Sequence, residues 1–241
     1  MDFFRSVIQK YITDEMSVYA AQASFFTILA AFPFLMLLFA LINLIPQVHE
    51  SDLMTVLTAL MPDHLDPLIM NVMEHIRTRS PATILSASAL LSLWSSAKGM
   101  LSMERGMNRA YLVHVQRNYF IRRLICSGYT FFFSIMCAIS LIFHFSACLV
   151  LFLFILIFYM VLPYRPQRLL SQVPGALFST AGWGIASSLF SLYFQVWERF
   201  TQIYGSLTAV ILLMLWLYIC ICILFFGAEI NVALSDERIE S

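Results

Sequence analysis

The sequence predicts an all-α fold, a polytopic membrane bundle of six transmembrane helices, and three observations carry that reading. Apolar residues make up 61% of the chain and charged residues 12%, against about 45–50% and about 25% in soluble domains. A soluble domain of 241 residues has too little interior to hide that much apolar surface, so lipid must be part of the solvent. The charges are also confined. Long uncharged stretches alternate with short charged segments, and Lys and Arg collect on one side when those stretches are threaded back and forth through a bilayer.

A helix needs about 20 apolar residues to cross the hydrocarbon core. The opening MDFFRSVIQKYITDE mixes both charge signs and lacks a short apolar core with a small-residue cleavage site, so it is not expected to be a cleaved leader. Met16 to Val48 carries no charge and is long enough for the first span, with Pro33 expected to kink it. Ser80 to Ala97 is shorter and completes a second span only if Lys98 is accepted near its end. Leu124 to Tyr164 is the longest uncharged stretch, room for two helices that turn near His144 and Ser146. Leu169 to Trp197 and Phe200 to Ala228, equal in length, each supply one further span. The expected spans are 18–45, 82–103, 124–143, 146–163, 174–196 and 205–228, in one membrane domain covering 1–241. Between the first two, Leu53, Val56, Leu57 and Leu60 recur at helical spacing. Asp66 then offers a cap before Pro67, so two short amphipathic helices broken around Pro62 are expected in the first outer loop.

Orientation follows from the loops. An inside N-terminus leaves Arg5, Lys10, Arg105, Arg109, Arg117, Arg122, Arg123, Arg165, Arg168 and Arg238 in the cytoplasm, against Arg77, Arg79 and Arg199 outside. Ten against three is a positive-inside bias. Both termini are therefore expected in the cytoplasm of a multi-pass protein.

Ionisable groups inside a membrane protein mark candidate function, because their burial is costly. At 3.6 residues per turn Trp94, Ser95, Lys98, Ser102, Arg105 and Arg109 share a stripe, and Glu15, Tyr19, Gln22 and Phe26 share another. Glu229 follows the uncharged stretch that starts at Phe200 and is expected at the same depth, pairing with Lys98 or Arg105. Gln22, Lys98, Arg105, Asn108, Arg109 and Glu229 are the candidate lining of a cytoplasm-facing polar cavity. Snorkelling of Lys98 and simple ion pairing are the plainer alternatives. Gly175-x-x-x-Ser179 and Gly184-x-x-x-Ser188 permit close helix packing, and also flexure.

Enzyme chemistry has no foothold. His49, His64, His75, His114 and His144 show no metal-ligand spacing, and there is no HExxH, GxSxG or phosphate-binding glycine loop. The five cysteines all fall in apolar runs and are expected to be buried small hydrophobes. No metal, cofactor or catalytic residue is expected. Formal net charge is zero, which gives no support to nucleic-acid binding.

Several motifs occur together: Ala20-Ala21-Gln22-Ala23 through Phe32-Pro33, Leu93-Trp94-Ser95-Ser96-Ala97, and Glu104-Arg105-Gly106-Met107-Asn108-Arg109-Ala110-Tyr111. Pro174-Gly175-Ala176, Tyr204-Gly205-Ser206-Leu207, Leu215-Trp216-Leu217-Tyr218 and Gly227-Ala228-Glu229-Ile230-Asn231 follow in order. In order and spacing the chain resembles the YihY/virulence factor BrkB family of bacterial inner-membrane proteins over nearly its whole length. It departs at Phe25 and Phe26, where tyrosines are common, and in its short third-to-fourth connection and C-terminal tail. The resemblance implies a six-helix, transporter-like protein, with envelope-lipid or serum-resistance roles discussed for members. The family once carried the label ribonuclease BN. The tRNA-processing nuclease of that name resembles metallo-β-lactamases and uses an HxHxDH cluster, which this chain lacks. The expected function is a permease for a small or amphipathic solute, lipids included, with membrane lipids as partners. The alternative is an envelope-organising protein that transports nothing.

Overall fold

The computed structural model describes residues 2–42, 97–113, 118–142, 147–164, 167–204 and 206–240. Among them are seven helices and no strand: α1 (Asp2–Thr13), α2 (Met16–Ile42), α3 (97–110), α4 (Tyr119–Ile142), α5 (Ala147–Val161), α6 (Leu169–Tyr204) and α7 (Ser206–Glu240). The expected amphipathic pair in the first outer loop, residues 82–96 of the expected second span with Trp94 and Ser95, and the turn at His144 and Ser146 lie outside the described residues.

Apolar composition makes these segments helical because, away from water, a chain must satisfy its own N–H and C=O groups within the segment. Among the described residues Val210–Ser235 is long and apolar enough to cross a bilayer, and Met16–Leu29 and Cys148–Val161 are shorter apolar runs. The helices overrun the stretches chosen from sequence. α4 begins at Tyr119, α6 runs from Leu169 to Tyr204, and α7 continues to Glu240.

α1 is a helix that the uncharged-stretch criterion passes over. Val7 is buried, and Lys10, Tyr11 and Asp14 follow it on the same side at three-, four- and seven-residue spacing. Phe4, Ile8 and Ile12 form the opposite, exposed edge. The chain then turns at Glu15, whose φ of 52° is left-handed. The Glu15 carbonyl accepts the first bonds of α2, from the N–H groups of Val18 and Tyr19.

α7 is the central helix. It packs most extensively on α6 and also meets α1 and α2, while Gly106 lets α3 sit directly on the Phe225 ring. Gly175 of α6 and Gly227 of α7 face each other so closely that a Cβ at 175 would collide with the Gly227 carbonyl oxygen. The expected Gly175–Ser179 packing role is therefore realised. Gly184 differs, since a Cβ there would meet nothing within 4 Å. With Ser188 it lines an open apolar groove between α5 and α6. The core joins Met16, Ala20 and Ala23 of α2 to Met107, Phe158, Tyr159 and Phe225. Phe133, Phe154 and Phe158 cluster nearby, Phe133 tilted against the other two rings and the closest centroids 4.6 Å apart. Cys126 and Cys220 are buried as expected, whereas Cys222 is half-buried and Cys148, at the start of α5, is exposed.

Long apolar side chains point outward from the bundle. Leu177, Ile185, Leu189 and Leu192 of α6 are all more than half exposed. In water such a stripe would drive aggregation; facing lipid tails it needs no cover.

Candidate functional site

Side-chain contacts place the N-terminal ends of α2, α4 and α6 beside the C-terminal ends of α3, α5 and α7, with α1 lying among them. Successive long helices therefore alternate in direction, and one end of the bundle gathers the buried charge. Arg109 Nε of α3 meets Asp14 Oδ1 at 3.0 Å. Arg122, in the first turn of α4, holds Glu104 Oε2 through Nε at 3.2 Å and Nη2 at 2.8 Å. Asn108 Nδ2 donates to the other Glu104 oxygen at 2.9 Å, and its Oδ1 accepts the Tyr164 N–H at 2.8 Å. Asn108 thus ties α3 to the segment leaving α5, with both halves of its amide occupied.

Lys10 reaches across from α1. Its ammonium lies 3.2 Å from Glu229 Oε2 and donates to the Ala110 carbonyl at 3.3 Å. A cation on the last turn of α3 complements that helix's negative end. The contact with Glu229 is close enough for an ion pair but off the direction of a hydrogen bond. Among the described residues neither Glu229 oxygen accepts one. The Glu229 side chain is fully buried, and the Lys10 ammonium is its ion-pair partner.

Behind this layer runs a neutral network. Tyr111 donates its hydroxyl to Gln172 Oε1, which also accepts from Asn231 Nδ2 at 2.9 Å. Asn231 Oδ1 takes the Gly175 N–H at 2.7 Å. That N–H follows Pro174, whose ring disturbs the helical ladder of α6. Burial of the Tyr111 phenol raises its pKa above the ordinary value, so it remains a donor. Farther along, Tyr159 shares a 2.7 Å hydrogen bond with Ser179 and donates to the Leu224 carbonyl at 2.6 Å.

Between the charged groups opens a pocket of about 260 Å³, lined by Tyr19, Arg105, Asn108, Arg109, Leu112, Val113 and Arg122. Its floor is the turn that ends α3. The Leu112 N–H bonds the Arg109 carbonyl, the Val113 N–H bonds the Asn108 carbonyl, and Leu112 takes a left-handed φ of 53°. A glycine is usual at such a position; here Leu112 points outward and is 61% exposed.

The sequence-derived candidates divide accordingly. Arg105, Asn108 and Arg109 come together in this pocket. Gln22 is half-buried on α2 and Lys98 is exposed on α3, and neither lines the pocket. Glu229 lies at the charged end as expected, but its partner is Lys10 rather than Lys98 or Arg105. The correction has a geometric cause: α1 folds against α7 and brings Lys10 closer than any cation on α3. Asp14, Arg122, Gln172 and Asn231 were not singled out from sequence. The Val7–Lys10–Tyr11–Asp14 spacing could have exposed α1, and Gln172 is conspicuous as a lone amide ahead of a long apolar run. Arg122 becomes legible only through the fold.

Comparison with known proteins agrees with the membrane reading. A profile described as virulence factor BrkB matches residues 7–241. The chain is 27% identical over 275 aligned residues to a Bacillus subtilis (strain 168) protein provisionally named ribonuclease-like protein YfkH, across 99% of this chain and 97% of that one. A UPF0761 membrane protein of Alteromonas mediterranea is 36% identical over 80 residues, 33% of this chain and 27% of that protein. One from Photobacterium profundum is 29% identical over 80 residues, 33% and 25% of the two chains. No solved structure matches the chain.

Proposed function

The chain belongs to the virulence factor BrkB family, a family of membrane proteins, and on that premise we propose that it is a six-span, permease-like protein of the bacterial inner membrane. It moves a small or amphipathic solute, lipids included, by repacking helices around the polar pocket at its charged end. The observation that carries this reading is the pocket itself: three guanidiniums and a tyrosine open to solvent at one end of an otherwise apolar bundle. Arg109 and Arg122 are already paired with Asp14 and Glu104, and Arg105 faces the pocket with no carboxylate partner among the described residues. Alternating helix directions and the gathering of Lys10, Arg105, Arg109 and Arg122 at one end support placing that end, and both termini, in the cytoplasm.

RNA cleavage is a poor fit. Among the described residues the pocket lining holds no carboxylate or imidazole to activate water, and Glu104 beside it is engaged by Arg122 and Asn108.

Two measurements test the proposal. Reporter fusions at Ser241 and within 105–123 should report the cytoplasm, and fusions near Asp63 the outside; an outside C-terminus would overturn the six-span topology. Protein in liposomes should accelerate movement of at least one of three classes: inorganic phosphate, small zwitterionic solutes, or short-chain fluorescent phospholipids. Arg105→Gln should slow that movement. Rates equal to protein-free liposomes for all three would remove transport and favour an envelope-organising role.

A further inference from the structure

We propose that the pocket at the charged end binds a phosphate-type oxyanion, held by the guanidinium forks of Arg105, Arg109 and Arg122. Such a site deepens the transport reading and rests on its assignment of this pocket as the substrate end of the bundle.

Three guanidiniums border the pocket, and two carboxylates answer them, Asp14 on Arg109 and Glu104 on Arg122. Of the other carboxylates at this end, Glu229 is matched by Lys10 outside the pocket, and Glu15 is exposed at the turn before α2 with no ion pair among the described residues. Among the described residues no carboxylate pairs with Arg105. Arg105 is thus a guanidinium with no carboxylate partner beside open space, a condition that an anion relieves.

Donor geometry agrees. Arg109 meets Asp14 through Nε, and its half-exposed side chain, with two further nitrogens in the guanidinium, lines the pocket. Arg122 uses Nε and Nη2 on Glu104 and keeps Nη1. Planar guanidinium forks match the paired oxygens of a phosphoryl group, as a point-like ammonium does not. Tyr19 adds a hydroxyl, and Asn108 is a positioning residue because its amide is already spent.

The backbone contributes in the same sense. Tyr19 lies in the first turn of α2 and Arg122 in the first turn of α4, so the pocket abuts the positive ends of two helices. The negative end of α3 is also near, and Arg105 and Arg109 offset it in part. That end amounts to roughly half a charge, and its last carbonyls already accept the Leu112 and Val113 N–H groups and the Lys10 ammonium. Helix-end complementation therefore does not consume three guanidiniums. About 260 Å³, at ~30 Å³ per water, admits a tetrahedral oxyanion with several waters but not a whole phospholipid. A lipid would place only its headgroup phosphate here.

The test uses the full chain purified in a neutral maltoside detergent. Thermal stability is titrated with inorganic phosphate against chloride at equal ionic strength. A parallel series uses mixed micelles of phosphatidylglycerol against phosphatidylcholine. The expected result is saturable stabilisation, weakened at least tenfold by Arg105→Gln and less by Arg105→Lys, which keeps the charge and loses the fork. Arg105 makes no ion pair among the described residues, so both variants should elute as folded protein; should the first not fold, the second carries the comparison. Saturation by inorganic phosphate identifies a free oxyanion, and saturation by phosphatidylglycerol alone identifies a headgroup. No saturable shift in either series, or one unchanged in both Arg105 variants, overturns the site. Saturable binding without liposome flux would sink transport and support this site, whereas flux without oxyanion binding overturns the site and leaves transport standing.

Discussion

Lys10 and Glu229 make an asymmetric pair, and the asymmetry predicts unequal consequences for removing either partner. The Glu229 side chain is fully buried and accepts no hydrogen bond among the described residues, whereas the Lys10 side chain is 23% exposed and also donates to the Ala110 carbonyl. Lys10→Met leaves a buried carboxyl that must stay charged without a partner or take up a proton, at a cost of about 3–5 kcal/mol. Glu229→Gln strands an ammonium that keeps a carbonyl and reaches water, at a cost of about 1–2 kcal/mol. The double variant replaces a charge pair with neutral groups and should recover most of what Lys10→Met loses. Thermal unfolding of the purified protein in detergent, followed by intrinsic fluorescence, ranks the three variants. A larger loss for Glu229→Gln than for Lys10→Met, or additive losses in the double variant, would refute the buried-pair account.

Further expectations concern packing and chemistry. Gly175→Ala should lower stability by about 1–3 kcal/mol, because the new Cβ meets backbone rather than a movable side chain, while Gly184→Ala should be neutral or slightly stabilising in the same unfolding assay. Asn108→Ala removes the donor to Glu104 and the acceptor of the Tyr164 N–H, and should cost about 2–4 kcal/mol by that assay. The purified protein should show no metal-dependent ribonuclease activity; activity that copurifies and vanishes on His64→Ala would contradict this.

Much of the helical content was legible because apolar runs in lipid have few options besides helix. The α3 half of the pocket was legible too, since Arg105 and Arg109 are one helical turn apart and must share a face. Reading failed where the deciding fact was tertiary. Arg122 is one of several arginines in a charged connector, and only the approach of α4 to α3 selects it. The pairing of Glu229 with Lys10, near the opposite end of the chain, depends on how α1 folds back. α1 itself escapes a search for uncharged stretches, because its inward face carries Lys10 and Asp14. Gly175 and Gly184 lie in near-identical small-residue motifs, yet only the first faces a neighbouring backbone.

The backbone contact at Gly175 and Gly227 divides α6 into two arms of unequal length. From Gly175 to Tyr204 is about 43 Å of helix, whereas from Leu169 to Gly175 is about 9 Å. If α6 tilts as a rigid rod with its fulcrum at that contact, the far tip travels about five times as far as the tip on the charged side. A shift of about 1 Å at the short arm then becomes roughly 5 Å at the opposite face.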